Sequence, residues 1–336
     1  MTPETSIFGT TAAGQTVHRA VISNGALSAA ILSHGVALQD VRLDDVAHSL
    51  TVGSPALAAY EGPMASSGSI VGPVGNRIGN ATALIDGQTY HFDVNLNGKH
   101  TLHGGGAATH RSVWDLTETD DTHATFHLCL ADGAHGFPGT RQITARYDFA
   151  DDATLRLTLT ATTDAPTLMN LANHSYWRLD DAPTFKGQTL KLAADRYLPS
   201  TVEDVLPTGE IAAVEGTRFD YREGRTMGAG TEGLIDTNFC LSKSRQPLRP
   251  VAWLTGQSGL SLEMATTEPG LQVFDGHILD LPDYPSNDGP PHVAYAGLAL
   301  EAQFWPDAPN NPEFPQIILN PGDAWKQVTT WRFLRP

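Results

Sequence analysis

Apolar residues recur at every second position in one segment after another of this chain, and that period suits a strand with one face buried. Ile143, Ala145, Tyr147 and Phe149 share one side of such a segment, and Leu155, Leu157, Leu159 and Ala161 share one side of the next. Asp151-Asp152 marks the corner between them. Asp86-Gly87, set between Leu84-Ile85 and Tyr90-His91-Phe92, suits the two positive φ angles of a type I′ hairpin turn. The stretch 256–259 separates 251–254 from 260–264 in the same way, and Asn320-Pro321-Gly322-Asp323 separates 316–319 from the alternating run 328–333. Helix signals are few. The best places Ser54 as N-cap and Pro55 at the first helical position of a piece ending at Gly62, barely two turns. The expectation is an all-β protein, a large antiparallel sandwich with very little helix.

At 336 residues the length alone allows two domains. No linker, low-complexity tract or like-charge block divides the chain, so one domain over 1–336 is expected. A hydrophobic content of 40% is enough for a large core. Lys and Arg number 21 against 37 Asp and Glu, and the resulting net charge of −16 repels phosphate backbones and anionic lipid. Nucleic acid and membrane are therefore not expected as partners, and no run of about 18 apolar residues is present to span a bilayer. Cys129 and Cys240 are too few and too far apart for a disulfide framework or thiolate metal site, which fits a reducing compartment. The first residues lack a basic start and an apolar run, so a cytoplasmic location is expected by default. Asn80-Ala81-Thr82 and Asn173-His174-Ser175 match the glycosylation acceptor pattern and are read as coincidence.

Five polar clusters exceed what a sandwich requires. The densest is 167–180, where Asn170, Asn173, His174, Ser175, Tyr176 and Trp177 can hydrogen-bond and stack against a small polyhydroxylated ligand, and the imidazole can exchange a proton near neutrality. A lone His among aromatics also fits a packed core. In 72–80, glycines surround Asn76 and Arg77, whose guanidinium is a planar fork of donors, without the ending of a phosphate loop. His103 stands at a glycine turn in 102–106. His91, His100, His103 and His110 raise a metal site, but no acidic or Cys partner stands at ligand spacing. Asp236, in 233–239, can accept hydrogen bonds from hydroxyls or close an Asx turn. Glu301 sits in an apolar alternating strand, where a carboxylate needs either an ionic partner or a task.

Taken in order, these segments resemble the aldose 1-epimerases, the galactose mutarotase family. The likeness rests on Asn76-Arg77-Ile78, Leu102-His103-Gly104-Gly105, the run from Asn170 to Trp177, Tyr197-Leu198-Pro199, Pro207-Thr208-Gly209-Glu210, 216–220, 268–272 and Leu300-Glu301-Ala302-Gln303 leading into Pro306-Asp307-Ala308. It runs from about Gly9 to Phe333. The resemblance implies a galactose mutarotase-like β-supersandwich whose cleft holds one monosaccharide, with no metal or organic cofactor. It implies Glu301 as general base and His174 as general acid, with Arg77, His103 and Asp236 binding the sugar and Asn76 beside them. Pro73, Thr237 and Trp177 depart from the family's usual residues and are expected to affect specificity. Trp177 is expected to wall the cleft. Phe274 and Trp305 are placed by position as ring-orienting aromatics, with core packing as their alternative. A monomer or homodimer is expected.

The chemistry asks for the same groups. Opening a hemiacetal ring takes a proton from the C1 hydroxyl and gives one to the ring oxygen, so it needs one base and one acid, expected on opposite sides of the ring. His174 is expected to be held cationic by a nearby carboxylate, and a desolvated Glu301 to gain proton affinity. Three rivals stand beside this reading: a non-catalytic sugar-binding protein on the same scaffold, a glycoside hydrolase using Glu301 with Asp236, and a hexose-phosphate epimerase, for which no basic cluster accompanies Arg77.

Overall fold

The hairpin signals close into antiparallel sheets in this computed structural model, which describes residues 4–231 and 233–336. Arg141–Asp151 pairs with Thr154–Thr163, setting Ile143 opposite Ala161, Ala145 opposite Leu159 and Tyr147 opposite Leu157. All six side chains are buried, as the alternation requires. Asp86 and Gly87 have φ of 47° and 78°, and the strands Thr82–Ile85 and Gln88–His91 flank them. Arg249–Thr255 likewise turns back on Ser261–Thr266.

Three sheets carry most of the structure. Nine strands form the largest, with Arg141–Asp151, Thr154–Thr163, Trp325–Leu334 and Ser261–Thr266 at its centre. Six form the second, in the order Tyr176–Trp177, Leu298–Gln303, Gly270–Phe274, Asp236–Cys240, Arg196–Tyr197, Ala212–Ala213. The N-terminal strands Glu4–Thr10, Thr16–Ser23, Leu27–Leu32 and Leu38–Leu43 pair in sequence order to form the third. The main core brings together Leu271, Val273, Leu298, Leu300 and Ala302 of the six-stranded sheet with Leu155, Leu157, Met264, Trp331 and Phe333 of the nine-stranded one. Burying these faces together removes a large apolar area from water, the chief driving force for the assembly.

Helix is scarce. The one α-helix among the described residues, Leu57–Glu61, has Ala56 as its N-cap rather than Ser54. Ser54 Oγ instead accepts the Ala56 N–H at 3.2 Å, which turns the chain before the helix starts and shortens the expected segment. Among the described residues no helix is long and apolar enough to cross a membrane.

Both faces of Leu298–Gln303 are buried. Leu298, Leu300 and Ala302 enter the sandwich core, so Ala299, Glu301 and Gln303 must point the other way. Leu271 and Val273 do the same in the neighbouring strand and turn Gln272 and Phe274 toward Glu301's side. The outer face of the six-stranded sheet thus becomes the floor of a cleft.

Candidate active site

Cross-strand register lays the floor out in rows. Asn238, Gln272 and Glu301 stand opposite one another in one row, and Asp236, Phe274, Ala299 and Tyr176 in the next. Above this floor opens a cavity of about 960 Å³ whose lining includes Asn76, Arg77, His103, His174, Asp236 and Glu301. Seven of the nine side chains that the sequence suggests for the site, Phe274 among them, line this one cleft.

His174 is presented by the bend between Ala172–Asn173 and Tyr176–Trp177. Its N–H donates to the Ser69 carbonyl (2.9 Å) and its carbonyl accepts from Gly68 (2.9 Å). Asn173 fixes the bend from behind, donating to the Gly68 carbonyl (2.8 Å) and the Tyr147 hydroxyl (3.1 Å) and accepting from the Ser175 N–H (3.1 Å). The imidazole Nε2 comes to rest 3.5 Å from Glu301 Oε1.

Burial dominates the electrostatics of this pair. It pushes His174 down to about 4 and raises Glu301 well above the ordinary carboxylate value, with Asp236 adding to the rise and Arg77 opposing it. No donor meets Glu301 Oε2, so nothing bonded to that oxygen holds the carboxylate ionised. The expectation of a cationic His174 is therefore corrected. The carboxyl beside the ring competes for the same proton, and burial favours the pair as neutral imidazole and protonated carboxyl. It still holds one proton to give.

The remaining groups are oriented by hydrogen bonds. The Asn76 N–H donates to His103 Nδ1 at 3.0 Å, which leaves the ring proton on Nε2, and burial keeps the ring neutral. His103 itself has φ of 49°, an uncommon backbone setting that turns it into the cleft wall. Arg77 spans Asp236 Oδ2 (3.1 Å) and Asn76 Oδ1 (3.2 Å), while Gln272 Nε2 donates to Asp236 Oδ1. The His103 and Phe274 rings stand edge-on to that of His174, with centroids at 5.6 and 6.4 Å.

Two aromatics expected at the cleft are elsewhere. Trp177 is fully buried in the sandwich core, 5.5 Å from Trp331 and 5.8 Å from Phe333 between ring centroids. Neighbours on a strand face opposite sides, so once Tyr176 enters the cleft Trp177 must enter the core. Trp305 is also core, donating Nε1–H to the Pro269 carbonyl (3.0 Å) and packing edge-on to Phe314. The four histidines do not converge on a metal. His91 is exposed, His100 is buried beside Asp204, and His110 lies edge-on to His103; no cluster of metal-ligating side chains forms among the described residues.

Sequence reasoning missed a second carboxylate–imidazole pair in the cleft. His277 lines it, with Nδ1 2.8 Å from Oδ1 of the buried Asp275, whose Oδ2 accepts the Ile235 N–H (3.0 Å). The only trace in the sequence was an Asp-Gly-His triplet after a strand. Tyr176, expected to hydrogen-bond or stack against a ligand, lines the cleft with its ring 5.0 Å from that of His174.

A carboxyl and an imidazole side by side on the floor of an aromatic-walled cleft, carried on an antiparallel sandwich, form a group of the class that can exchange protons with a bound small molecule. Residues 18–332 match the family model described as Aldose 1-epimerase. The chain is 32% identical to the galactose mutarotase of Mus musculus over 329 residues, covering 95% of each, and 30% identical to the aldose 1-epimerase of Escherichia coli (strain K12), covering 93% of each. A solved aldose epimerase homologue from C. elegans superposes with a TM-score of 0.86 at 28% identity, over 94% of this chain and 99% of the other. This chain belongs to the aldose 1-epimerase family.

Proposed function

We propose that the protein interconverts the α and β anomers of a free aldose such as galactose or glucose, with Glu301 as general base and His174 as general acid. The observation that carries this reading is the 3.5 Å separation of His174 Nε2 and Glu301 Oε1. This closeness suits the reaction, because the C1 hydroxyl and the ring oxygen are bonded to the same carbon.

Sugar oxygens entering the cleft solvate the buried pair and favour transfer of its proton from Glu301 to His174. Glu301 then takes the C1 hydroxyl proton as the C1–ring oxygen bond breaks, the C1 carbonyl forms, and the ring oxygen receives the proton from His174. Rotation about C1–C2 exposes the other carbonyl face, and the same transfers in reverse close the second anomer. Each group supplies roughly 10²- to 10⁴-fold. Because the electron pair of the broken bond stays on the ring oxygen as that oxygen is protonated, the step calls for no electron sink. Arg77, Asp236 and the Nε2–H of His103 orient the sugar hydroxyls.

Asp236, the other carboxylate of the hydrolase rival, is held by Arg77 and Gln272, which suits an acceptor of hydroxyl protons better than a nucleophile. We place the activity in the cytoplasm, which the free thiols of Cys129 and Cys240 support. Polarimetry of freshly dissolved α-galactose and α-glucose, corrected for the spontaneous rate, tests the reading. Acceleration of either is expected, and a protein that binds these sugars without acceleration is a binding protein instead.

A further inference from the structure

A buried carboxylate behind a cleft-lining imidazole is costly to build, and the acid–base step makes no use of the one formed by Asp275 and His277. Asp275 is 1% exposed and is tied to Ile235 twice: its N–H donates to the Ile235 carbonyl (3.0 Å) and its Oδ2 accepts the Ile235 N–H (3.0 Å). Its Oδ1 accepts the backbone N–H of His277 (3.2 Å) and lies 2.8 Å from Nδ1 of the ring. Gly276 makes this return possible. It has φ of 65°, and a Cβ there would lie 2.6 Å from the Gly297 carbonyl oxygen, so a side chain is excluded and the chain turns back at once. Ile235 precedes Asp236 in the chain, so the turn that carries His277 and the Asp236 carboxylate share one frame.

Those bonds also set which nitrogen carries the proton. A carboxylate oxygen at 2.8 Å takes the Nδ1 proton, which leaves Nε2 of the neutral ring as an acceptor. Nε2 has no hydrogen-bond partner among the described residues, and the ring lines the cleft. Its position follows from strand register. Gln272 stands opposite Glu301, and Phe274, opposite Ala299, stands two residues on, about 7 Å along the strand. His277 comes after Phe274, its ring edge-on with centroids 5.2 Å apart, at the level where the Tyr295 N–H donates to the Gly276 carbonyl (3.0 Å). The imidazole therefore sits at the end of the floor away from Glu301.

We propose that His277 is a specificity-determining residue whose Nε2 accepts a hydrogen bond from a sugar hydroxyl at the end of the ring remote from C1, the one at C4 or C6. This rests on the anomerisation reading for its orientation. With C1 held at Glu301 and His174, the ring extends over Phe274 and its far hydroxyls come to His277. Arg77 and the Nε2–H of His103 donate to sugar oxygens, so an acceptor beyond Phe274 supplies the complementary half of the recognition. A site built to pair a hydroxyl rejects a sugar that lacks it, because the acceptor is left without a partner once the sugar covers it.

Calorimetric titration of wild type and variants with anomerically equilibrated galactose, 4-deoxygalactose and 6-deoxygalactose reads the contact independently of turnover. His277→Phe keeps a ring against Phe274 and removes both nitrogens. It should weaken galactose about fivefold or more and at least one deoxy sugar less than about twofold, and that sugar names the hydroxyl. Asp275→Asn keeps the shape, but its amide can donate to Nδ1 while its oxygen keeps the Ile235 N–H, which moves the ring proton to Nε2 and turns the acceptor into a donor. It should weaken galactose about threefold or more with the same deoxy sugar spared, a pattern that loss of packing alone would not give. In polarimetry both variants should raise KM for galactose and hold kcat within about twofold. Unchanged galactose affinity in either variant, equal weakening of all three sugars, or a loss confined to kcat overturns the proposal. The titration reads binding even if no aldose is turned over, so failure of this contact and failure of the anomerisation reading remain distinguishable.

Discussion

His174 Nε2 lies 3.5 Å from Glu301 Oε1, with the two side chains only 6% and 2% exposed. A carboxyl and an imidazole this close and this dry compete for one proton.

Removing either partner should abolish the exchange. Glu301→Gln and His174→Asn are each expected to lower the enzyme-dependent anomerisation rate at least about a hundredfold with the fold intact. Polarimetry reads the loss and circular dichroism the fold. Retained activity in His174→Asn would pass the acid role to His103, whose ring lies 5.6 Å away.

The pH profile should be broad. The working pair holds one proton. A second goes to His174 only as pH falls toward about 4, and the first is lost only through the raised value of Glu301. The profile of kcat/KM should therefore stay level across neutrality and fall on both sides. A midpoint near 6.5, the ordinary histidine value, would count against the buried neutral ring.

Stability should move with pH in the opposite sense to catalytic need. The folded state raises Glu301 above its unfolded value, so the benefit of its neutral form is complete below about pH 4.5 and is lost as pH rises through the folded value. An amide does not titrate. Thermal melts of Glu301→Gln against wild type should thus differ more at about pH 9 than at about pH 5, by about 2–5 °C in favour of the variant. A difference independent of pH would contradict the shift.

Trp177 should govern stability and leave selectivity alone. Trp177→Ala opens a cavity between the two large sheets and is expected to cost about 3–5 kcal/mol in denaturant unfolding. Trp177→Phe should keep the relative rates on galactose, glucose, arabinose, xylose and fucose within about twofold. A reordered sugar preference would return the side chain to the specificity wall.

His277→Ala should raise KM with kcat held within about twofold, as expected for a group that positions the sugar without exchanging a proton. Steady-state kinetics separates the two parameters, and a fall in kcat alone would give the Asp275–His277 pair a part in the proton transfers.

Much of the architecture was legible in the chain. Period-two runs named the faces of Arg141–Asp151 and Thr154–Thr163, and Asp86-Gly87 named its turn, because strand alternation and turn angles are local properties. The segments holding Asn76, Arg77, His103, His174, Asp236 and Glu301 were also recognisable, since each motif is contiguous in sequence. Trp177 was misplaced for a related reason, while Trp305 took the core position given as its alternative. Alternation says that neighbours face opposite ways and leaves open which face meets the cleft.

By itself, then, the sequence determined the strands, their tight turns and the residue types the reaction requires. The tertiary structure decided that His174 and Glu301 lie side by side, that burial reverses the expected protonation of the pair, and that His277 enters the cleft. Those facts depend on cross-strand register and on the exclusion of water by packed sheets, and both arise only when segments distant in the chain are brought together.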